Sequence, residues 1–339
     1  MKWQAPRFWW RQRSSLPALA LAPVAALWSA VAGRRMRRAP SARASVPVIC
    51  VGNFVVGGAG KTPTALALAR ICMGLGLAPG FLTRGYGGSA REPLMVDRKL
   101  HDAARVGDEA LLLAEAGPVV VSPDRPAGLP LLQRAGVDII IMDDGFQNPA
   151  LAKDLALLVV DGATGIGNGW VMPSGPLRAP LRTQLARADA LVIVGPGEPG
   201  DRMLRRGARA GRPVLRARLM PALQRDWGTE PYLAFAGIGR PEKFFNSLDR
   251  AGAPIGDVKA FPDHYVYTAE DARMLLGRAE TEGLRLITTA KDFARLSRAE
   301  GEVARLRQWT EVFEVRMVFE NEELLASLIT AVMRRASPR

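Results

Sequence analysis

The sequence predicts an α/β protein: a parallel sheet flanked by helices, followed by a second, smaller α/β domain. Three observations carry this. Short apolar runs alternate with helical stretches along most of the chain, as strands do when they are buried on both faces and joined by crossover helices. The first of these runs, from Val48, leads through a glycine-rich turn into a helix. The pattern then restarts beyond a Gly-, Pro- and Arg-rich stretch at 195–213, which reads as a connector.

The segment from Val48 to Pro63 organises the rest. It reads as a buried strand, a turn (Gly57-Gly58-Ala59-Gly60) and the start of a helix at Lys61-Thr62-Pro63. Such a turn holds phosphate. Glycines let backbone N–H groups crowd around phosphate oxygens, and the helix N-terminus adds partial positive charge. Lys61 reaches the terminal phosphates and the Thr62 hydroxyl suits Mg²⁺. Pro63 falls in the first helical turn, where a missing N–H leaves no bond unmade. The strict pattern G-x-x-x-x-G-K-[ST] has glycine where this chain has Val55, while the tail from Gly57 to Thr62 is intact. The sheet is therefore expected to be P-loop NTPase-like.

Further strands are expected at 80–83, 118–122, 137–142, 154–161 and 190–194. The first runs into Arg84-Gly85-Tyr86, a loop at the end of a parallel strand, where ligands bind in such sheets. Gly107-Asp108-Glu109 opens a helix, and on position alone its acids complement the helix dipole. Asp124-Arg125 follows the 118–122 strand. The 137–142 strand ends in Asp143-Asp144, the acidic partner that a phosphate loop needs to hold Mg²⁺. Residues 165–178 form a long Gly- and Pro-rich loop ending on Arg178, and loops of this length are usually functional. In the second unit, strands are expected at 232–236, from 259, at 284–289 and at 312–318, with a helix capped by Thr268 and a C-terminal helix. The expected division is a basic terminal segment at 1–45, a phosphate-loop domain at 46–222 and a C-terminal α/β domain at 223–339.

The net charge of +13 would suggest nucleic acid if it were spread over the chain. It is not. Residues 1–45 carry Lys2, Arg7, Arg11, Arg13, Arg34, Arg35, Arg37, Arg38 and Arg43 with no acid, so only +4 remains for the rest. Nucleic acid is therefore not expected as a partner. The same segment has an apolar run from Leu16 to Gly33, broken by Pro17 and Pro23, and four of the seven tryptophans: Trp3, Trp9, Trp10 and Trp28. As a helix the run would span about 27 Å, short of the roughly 30 Å hydrocarbon core. Arg34-Arg35-Met36-Arg37-Arg38 follows at once and argues against an exported signal. An interfacial helix on the cytoplasmic leaflet fits best, with a spanning helix or a basic helix packed on the globule as alternatives. Cys50 and Cys72 form no disulfide framework or metal pattern and read as core residues.

Thr289-Ala290-Lys291-Asp292 lacks the residue between Lys and Asp that guanine recognition requires. A small-molecule kinase needs a base for the acceptor hydroxyl. Of the two histidines, His101 and His264, the second follows a strand of the second unit and is the candidate. A nucleotide-binding regulator would keep the loop and Asp143/Asp144 but have no need of His264.

Taken together, Gly52-Asn53, the turn from Gly57 to Pro63, Arg84-Gly85-Tyr86, Gly107-Asp108-Glu109, Asp143-Asp144-Gly145-Phe146-Gln147, the stretch from Gly167 to Arg178 and Pro262-Asp263-His264-Tyr265 resemble the tetraacyldisaccharide 4′-kinase (lipid A 4′-kinase) family. That family lacks the first glycine of the strict loop pattern, as here at Val55. The resemblance implies transfer of the γ-phosphate of ATP, with Mg²⁺, to the 4′-hydroxyl of tetraacyldisaccharide 1-phosphate, at the cytoplasmic face of the inner membrane. It implies a catalytic pair, Asp108 and His264. The nucleotide would lie on Gly57, Gly58, Ala59, Gly60, Lys61 and Thr62, and the metal near Thr62, Glu109, Asp143 and Asp144. Asn53, Arg84, Arg125 and Arg178 would contact substrate. Two departures stand out: Asn148 where the family usually has histidine, and Ala290 where it tends to have glutamate.

Overall fold

The computed structural model describes residues 5–11, 15–223 and 226–336. Lys2, Trp3 and Arg13 of the basic segment lie outside them. The apolar run forms two helices, α1 (Leu16–Ala20) and α2 (Ala22–Met36). Pro17 and Pro23 each fall in the first turn of their helix, which is why the run breaks at Leu21. Among the described residues no helix is long and apolar enough to cross a membrane. α2 buries Ala25, Gly33 and Met36 and exposes Val24, Leu27, Trp28 and Val31, a stripe at helical spacing. Trp9 departs from the expectation that the terminal tryptophans mark a headgroup boundary. It is buried, and its indole N–H donates to the Pro173 carbonyl at 2.9 Å. A ring of that size gains more from the interior than from an interface when its one polar atom finds an acceptor.

From β1 (Val48–Asn53) the chain runs through α3 (Lys61–Gly74), β2 (Pro79–Thr83), β3 (Leu94–Met95), α4 (Ala103–Val106), α5 (Asp108–Leu113), β4 (Val119–Val121), α6 (Leu129–Arg134), β5 (Ile139–Asp143) and β6 (Leu155–Asp161). It continues as α7 (Leu181–Arg187), β7 (Ala190–Val194), α8 (Glu198–Arg209) and β8 (Val214–Pro221). The second unit holds β9 (Tyr232–Ala236), α9 (Pro241–Arg250), β10 (Ile255–Ala260), α10 (Ala269–Glu282), β11 (Arg285–Thr289), α11 (Ala290–Arg295), α12 (Gly301–Trp309) and β12 (Thr310–Phe313). β13 (Val315–Phe319) and α13 (Glu322–Ala336) end the chain.

The larger sheet has the order β13-β8-β7-β6-β1-β5-β2-β4-β3 among the described residues. Its pairs are parallel except at the edges, where β3 runs antiparallel to β4 and β13 to β8. Side chains of β1 alternate between two cores. Ile49 and Val51 meet α3 on one face, and Val48 and Cys50 meet the other core with Met36 of α2. Burial pushes the Cys50 thiol up to about 12 and that of Cys72 to about 11, so both stay protonated core groups. The smaller sheet, β10-β9-β11-β12, is parallel throughout.

Two local expectations change. The 195–213 stretch contains α8. Its Gly207 lets the helix lie close on the sheet: a Cβ there would lie 2.6 Å from Leu191 Cδ1 of β7, and that side chain would have to shift. The strand expected at 312–318 is two strands in different sheets, parted by Glu314, so β13 and α13 return to the larger sheet. Apolar residues on both sides of Glu314 read as one strand and hide that break.

Candidate active site

The phosphate loop lies between the central strand and α3. Gly57 (φ +108°) and Gly60 (φ +94°) take left-handed conformations that a side chain would resist. A Cβ at Gly57 or Gly58 would meet no atom within 4 Å, so the turn borders open room. Asn53 is wholly buried and its amide donates to the Gly57 carbonyl at 3.0 Å, bracing the loop from beneath. Lys61 points back into its own loop, 3.5 Å from the Gly57 carbonyl and 3.7 Å from Asp144. Val55 has a local reason. It bridges to Leu177 in an antiparallel pair, its side chain is buried, and the Val56 N–H donates to the Pro176 carbonyl at 2.9 Å. A β-branched residue suits that extended stretch better than glycine.

β5 delivers Asp143 and Asp144 to different surroundings. Asp143 is buried, with the Thr62 hydroxyl donating to its Oδ2 at 3.2 Å, while its Oδ1 has no partner among the described residues. Burial, then the charge of Glu109, push its carboxyl up to about 7. Asp144 stands at φ +53°, a conformation that aspartate tolerates better than most residues. Arg178 grips it with Nη1 at 2.8 Å and Nη2 at 3.2 Å. Burial opposes its ionisation, but Lys61 and Arg178 outweigh burial and hold it at about 2. The orphaned Asp143 oxygen beside a hydroxyl and a second acid fits a hard divalent cation. Among the described residues no group of three His, Cys, Asp or Glu could hold a metal unaided, so phosphate oxygens would complete its shell.

Arg178 also donates to the Val55 carbonyl at 3.0 Å, so most of its donors serve the loop and Asp144. Arg125 is buried, donates to the Ser122 carbonyl at 2.8 Å, and leaves its Nε without a partner among the described residues. Burial lowers its pKa, against the pull of Asp144. Arg84 is exposed on the loop after β2, close enough to Arg125 for their charges to oppose. Asn148 caps a local turn, accepting from the Ala150 N–H at 2.9 Å. His101 accepts from the Asp97 N–H at 3.0 Å and serves its own turn.

The second unit brings His264 to Asp108. Nδ1 lies 3.4 Å from Asp108 Oδ2, and the imidazole meets the edge of Tyr86 with centroids 5.2 Å apart. His264 also stands at φ +53°, with its N–H on the Gly237 carbonyl at 3.0 Å. A non-glycine residue held there costs on the order of 1–3 kcal/mol, and such strain gathers at functional sites. Asp108 is 3% exposed. Burial opposes its charge, but the hydrogen bond with His264 and the charge of Arg295 hold it well below the usual carboxylate range.

Sequence reasoning missed the cations on the second unit. Arg295 Nε donates to Asp108 Oδ2 at 2.9 Å, and Lys291 lies 2.8 Å from Glu109. Arg240 and Lys243 both pair with Asp161 at the tip of β6, and Arg240 donates to the Gly58 carbonyl at 3.2 Å. The one signal in the sequence was the spacing of Lys291 and Arg295, one helical turn apart, against the consecutive acids Asp108 and Glu109.

A glycine loop bearing a lysine at a helix start, next to an acid at the tip of the adjoining strand, defines a P-loop nucleotide-binding protein. A second unit brings an imidazole–carboxylate pair alongside, the kind of group with which a phosphotransferase of that class would take a hydroxyl proton. The profile described as tetraacyldisaccharide-1-P 4′-kinase matches residues 17–334, and the chain belongs to that family. A tetraacyldisaccharide 4′-kinase of Methylobacterium sp. (strain 4-46) is 49% identical over 340 residues, covering 99% of this chain and 100% of the relative. One from Brucella melitensis biotype 2 is 46% identical over 337 residues, covering 99% and 98%. Among solved structures, LpxK from Aquifex aeolicus, crystallised in complex with ATP, is similar with a TM-score of 0.72 and 26% identity, covering 94% of this chain and all of that one.

Proposed function

We propose that this protein transfers the γ-phosphate of ATP to the 4′-hydroxyl of tetraacyldisaccharide 1-phosphate, giving lipid IVA and ADP, at the cytoplasmic face of the bacterial inner membrane. The observation that carries the reading is the His264–Asp108 pair. Nδ1 lies against Asp108, and in this reading Nε2, 3.9 Å from Asp263 Oδ1, is the atom that takes the proton. The hydroxyl oxygen bonds to Pγ, the bond from Pγ to the ADP oxygen breaks, and the hydroxyl proton passes to His264 Nε2. Asp108, held as a carboxylate, orients the ring and stabilises the imidazolium.

Lys61 and the amides of Gly57, Gly58, Ala59 and Gly60 would hold the β- and γ-phosphates, with ATP taking over from Asp144 and the Gly57 carbonyl as partners of Lys61. Thr62 and Asp143 are the residues suited to Mg²⁺, with Glu109 close by and Asp144 tied to Arg178. When bound, Mg²⁺ offsets negative charge on the phosphate oxygens. Asn53 serves the loop from within, while Arg84 and Arg125 remain the candidates for contact with the acceptor. The outward stripe of α2, with Arg34 and Arg35 in its last turn, suits a helix lying at an anionic lipid surface.

The test is transfer of label from [γ-³²P]ATP to purified tetraacyldisaccharide 1-phosphate. Labelled lipid, dependent on Mg²⁺, is expected; none from folded enzyme would refute the reading.

A further inference from the structure

We propose that Arg295 is a positioning residue that fixes both members of the Asp108–His264 pair through one guanidinium group. The catalytic meaning of that pair rests on the kinase reading above; the geometry of Arg295 does not.

Arg295 is the last residue of α11 and its side chain is 6% exposed. On one side, Nε donates to Asp108 Oδ2 at 2.9 Å, and Nη2 donates to the same oxygen. On the other, Nη1 donates to the Gly237 carbonyl at 2.6 Å and to Asp292 Oδ1 at 2.7 Å. The Gly237 carbonyl also receives the backbone N–H of His264, at 3.0 Å. A single planar group therefore holds the carboxylate of one partner and the backbone anchor of the other. The anchor matters because His264 is kept in a left-handed conformation that it would not choose unaided.

Behind Arg295, Asp292 is fully buried and makes the mount rigid. Its Oδ1 accepts from the Gly237 N–H at 2.9 Å and the Tyr267 hydroxyl at 2.9 Å, and its Oδ2 accepts from the Thr289 hydroxyl at 2.7 Å. Both backbone groups of Gly237 are thus tied to this network. Lys291, one turn earlier on α11, meets Glu109 next to Asp108, so the helix grips α5 at two consecutive residues. Arginine suits this place because its planar fork meets Asp108, Asp292 and Gly237 at once, which a single ammonium cannot do with the same geometry.

A mere strut between the units would lower stability when cut. A positioning residue would also disturb the imidazole and slow the chemical step without weakening ATP binding. The experiment compares full-length wild type, Arg295→Met and Arg295→Lys. Arg295→Met is expected to lose about 100-fold in kcat for label transfer, the scale of a small misplacement of reacting groups, with KM for ATP within about twofold. Arg295→Lys is expected to recover at least about tenfold of that loss. The second readout needs no activity. The chain has two histidines, so ¹H–¹⁵N spectra resolve His264 from His101. Arg295→Met is expected to shift the His264 imidazole resonances and leave those of His101 in place, and Arg295→Lys to bring them back towards wild type. Unchanged His264 resonances in Arg295→Met, or a kcat within threefold of wild type, would overturn the proposal. Failure of wild type to label lipid would count against the kinase reading, while the imidazole spectra would still decide the role of Arg295.

Discussion

Replacing His264 is the most direct test of the proposed chemistry, and the backbone dictates the replacement. At φ +53°, alanine adds about 1–2 kcal/mol of backbone strain, whereas asparagine tolerates the conformation. His264→Asn therefore removes the base with little disturbance of the turn. The side chain is 28% exposed and meets Tyr86 edge-on and Asp108 through Nδ1, so the expected loss of fold stability is about 1–2 kcal/mol. A general base contributes about 10²- to 10⁴-fold, or about 3–5 kcal/mol of transition-state stabilisation. The loop that would hold ATP rests on Asn53, Lys61 and Arg178, none of which has a hydrogen bond to His264. The expected outcome is a kcat at least 100-fold lower in the label-transfer assay, with KM for ATP and the melting temperature close to wild type. Asp108→Asn is expected to fall by a comparable factor, and the double variant little further, because the two act as a unit. A kcat within fivefold of wild type, or a loss that appears only as a raised KM for ATP, would refute the base assignment.

Three further outcomes are expected. Burial and the neighbouring Glu109 charge push the Asp143 carboxyl up to about 7 from the ordinary carboxylate range, so its ionisation costs the fold stability as pH rises from that range to about 7. Without divalent cation, Asp143→Asn should therefore gain melting temperature relative to wild type more at pH 8 than at pH 5, while losing Mg²⁺-dependent transfer; equal shifts at both pH values would count against the burial argument. Asp161→Asn leaves Arg240 and Lys243 without their counter-charge, and since both cations are partly exposed the cost is about 1–2 kcal/mol, or a few degrees in melting temperature. KM for ATP should rise with it, because Arg240 leans on the Gly58 carbonyl; unchanged melting and KM would remove the clamp from consideration. Leu27→Glu combined with Val31→Glu should weaken co-sedimentation with anionic vesicles without changing the melting curve, and undiminished sedimentation would dismiss the α2 stripe as a membrane surface.

What could be read from the chain was what neighbouring residues encode. The phosphate loop and Asp143-Asp144 are short runs whose chemistry follows from strand, turn and helix start. Asp108 could not be assigned from its position, since an acid in a first helical turn has an ordinary reason to be there; its partner lies 156 residues further on. Arg240 and Lys243 were invisible for the same reason, and Arg295 showed only in its one-turn spacing from Lys291, as arginine and lysine on a helix look like solvent-facing charge until a second unit is packed against them. Trp9 misled because size and amphipathic character suit an interface and an interior equally, and only the Pro173 carbonyl decides between them. Val55, which departs from the strict loop pattern as the family does, finds its local reason in the pairing with Leu177.

The return of β13 to the larger sheet has a mechanical meaning. The smaller unit is entered after β8 and left through the single residue Glu314, and these two crossings are stitched together by the Ala222 N–H donating to the Glu314 carbonyl at 2.9 Å. Two crossings set side by side and bonded to each other fasten the smaller unit to the edge of the larger sheet at one place. The contacts of Arg240 and Lys243 with Asp161 and of Arg295 with Asp108 are further points at which the two units are tied.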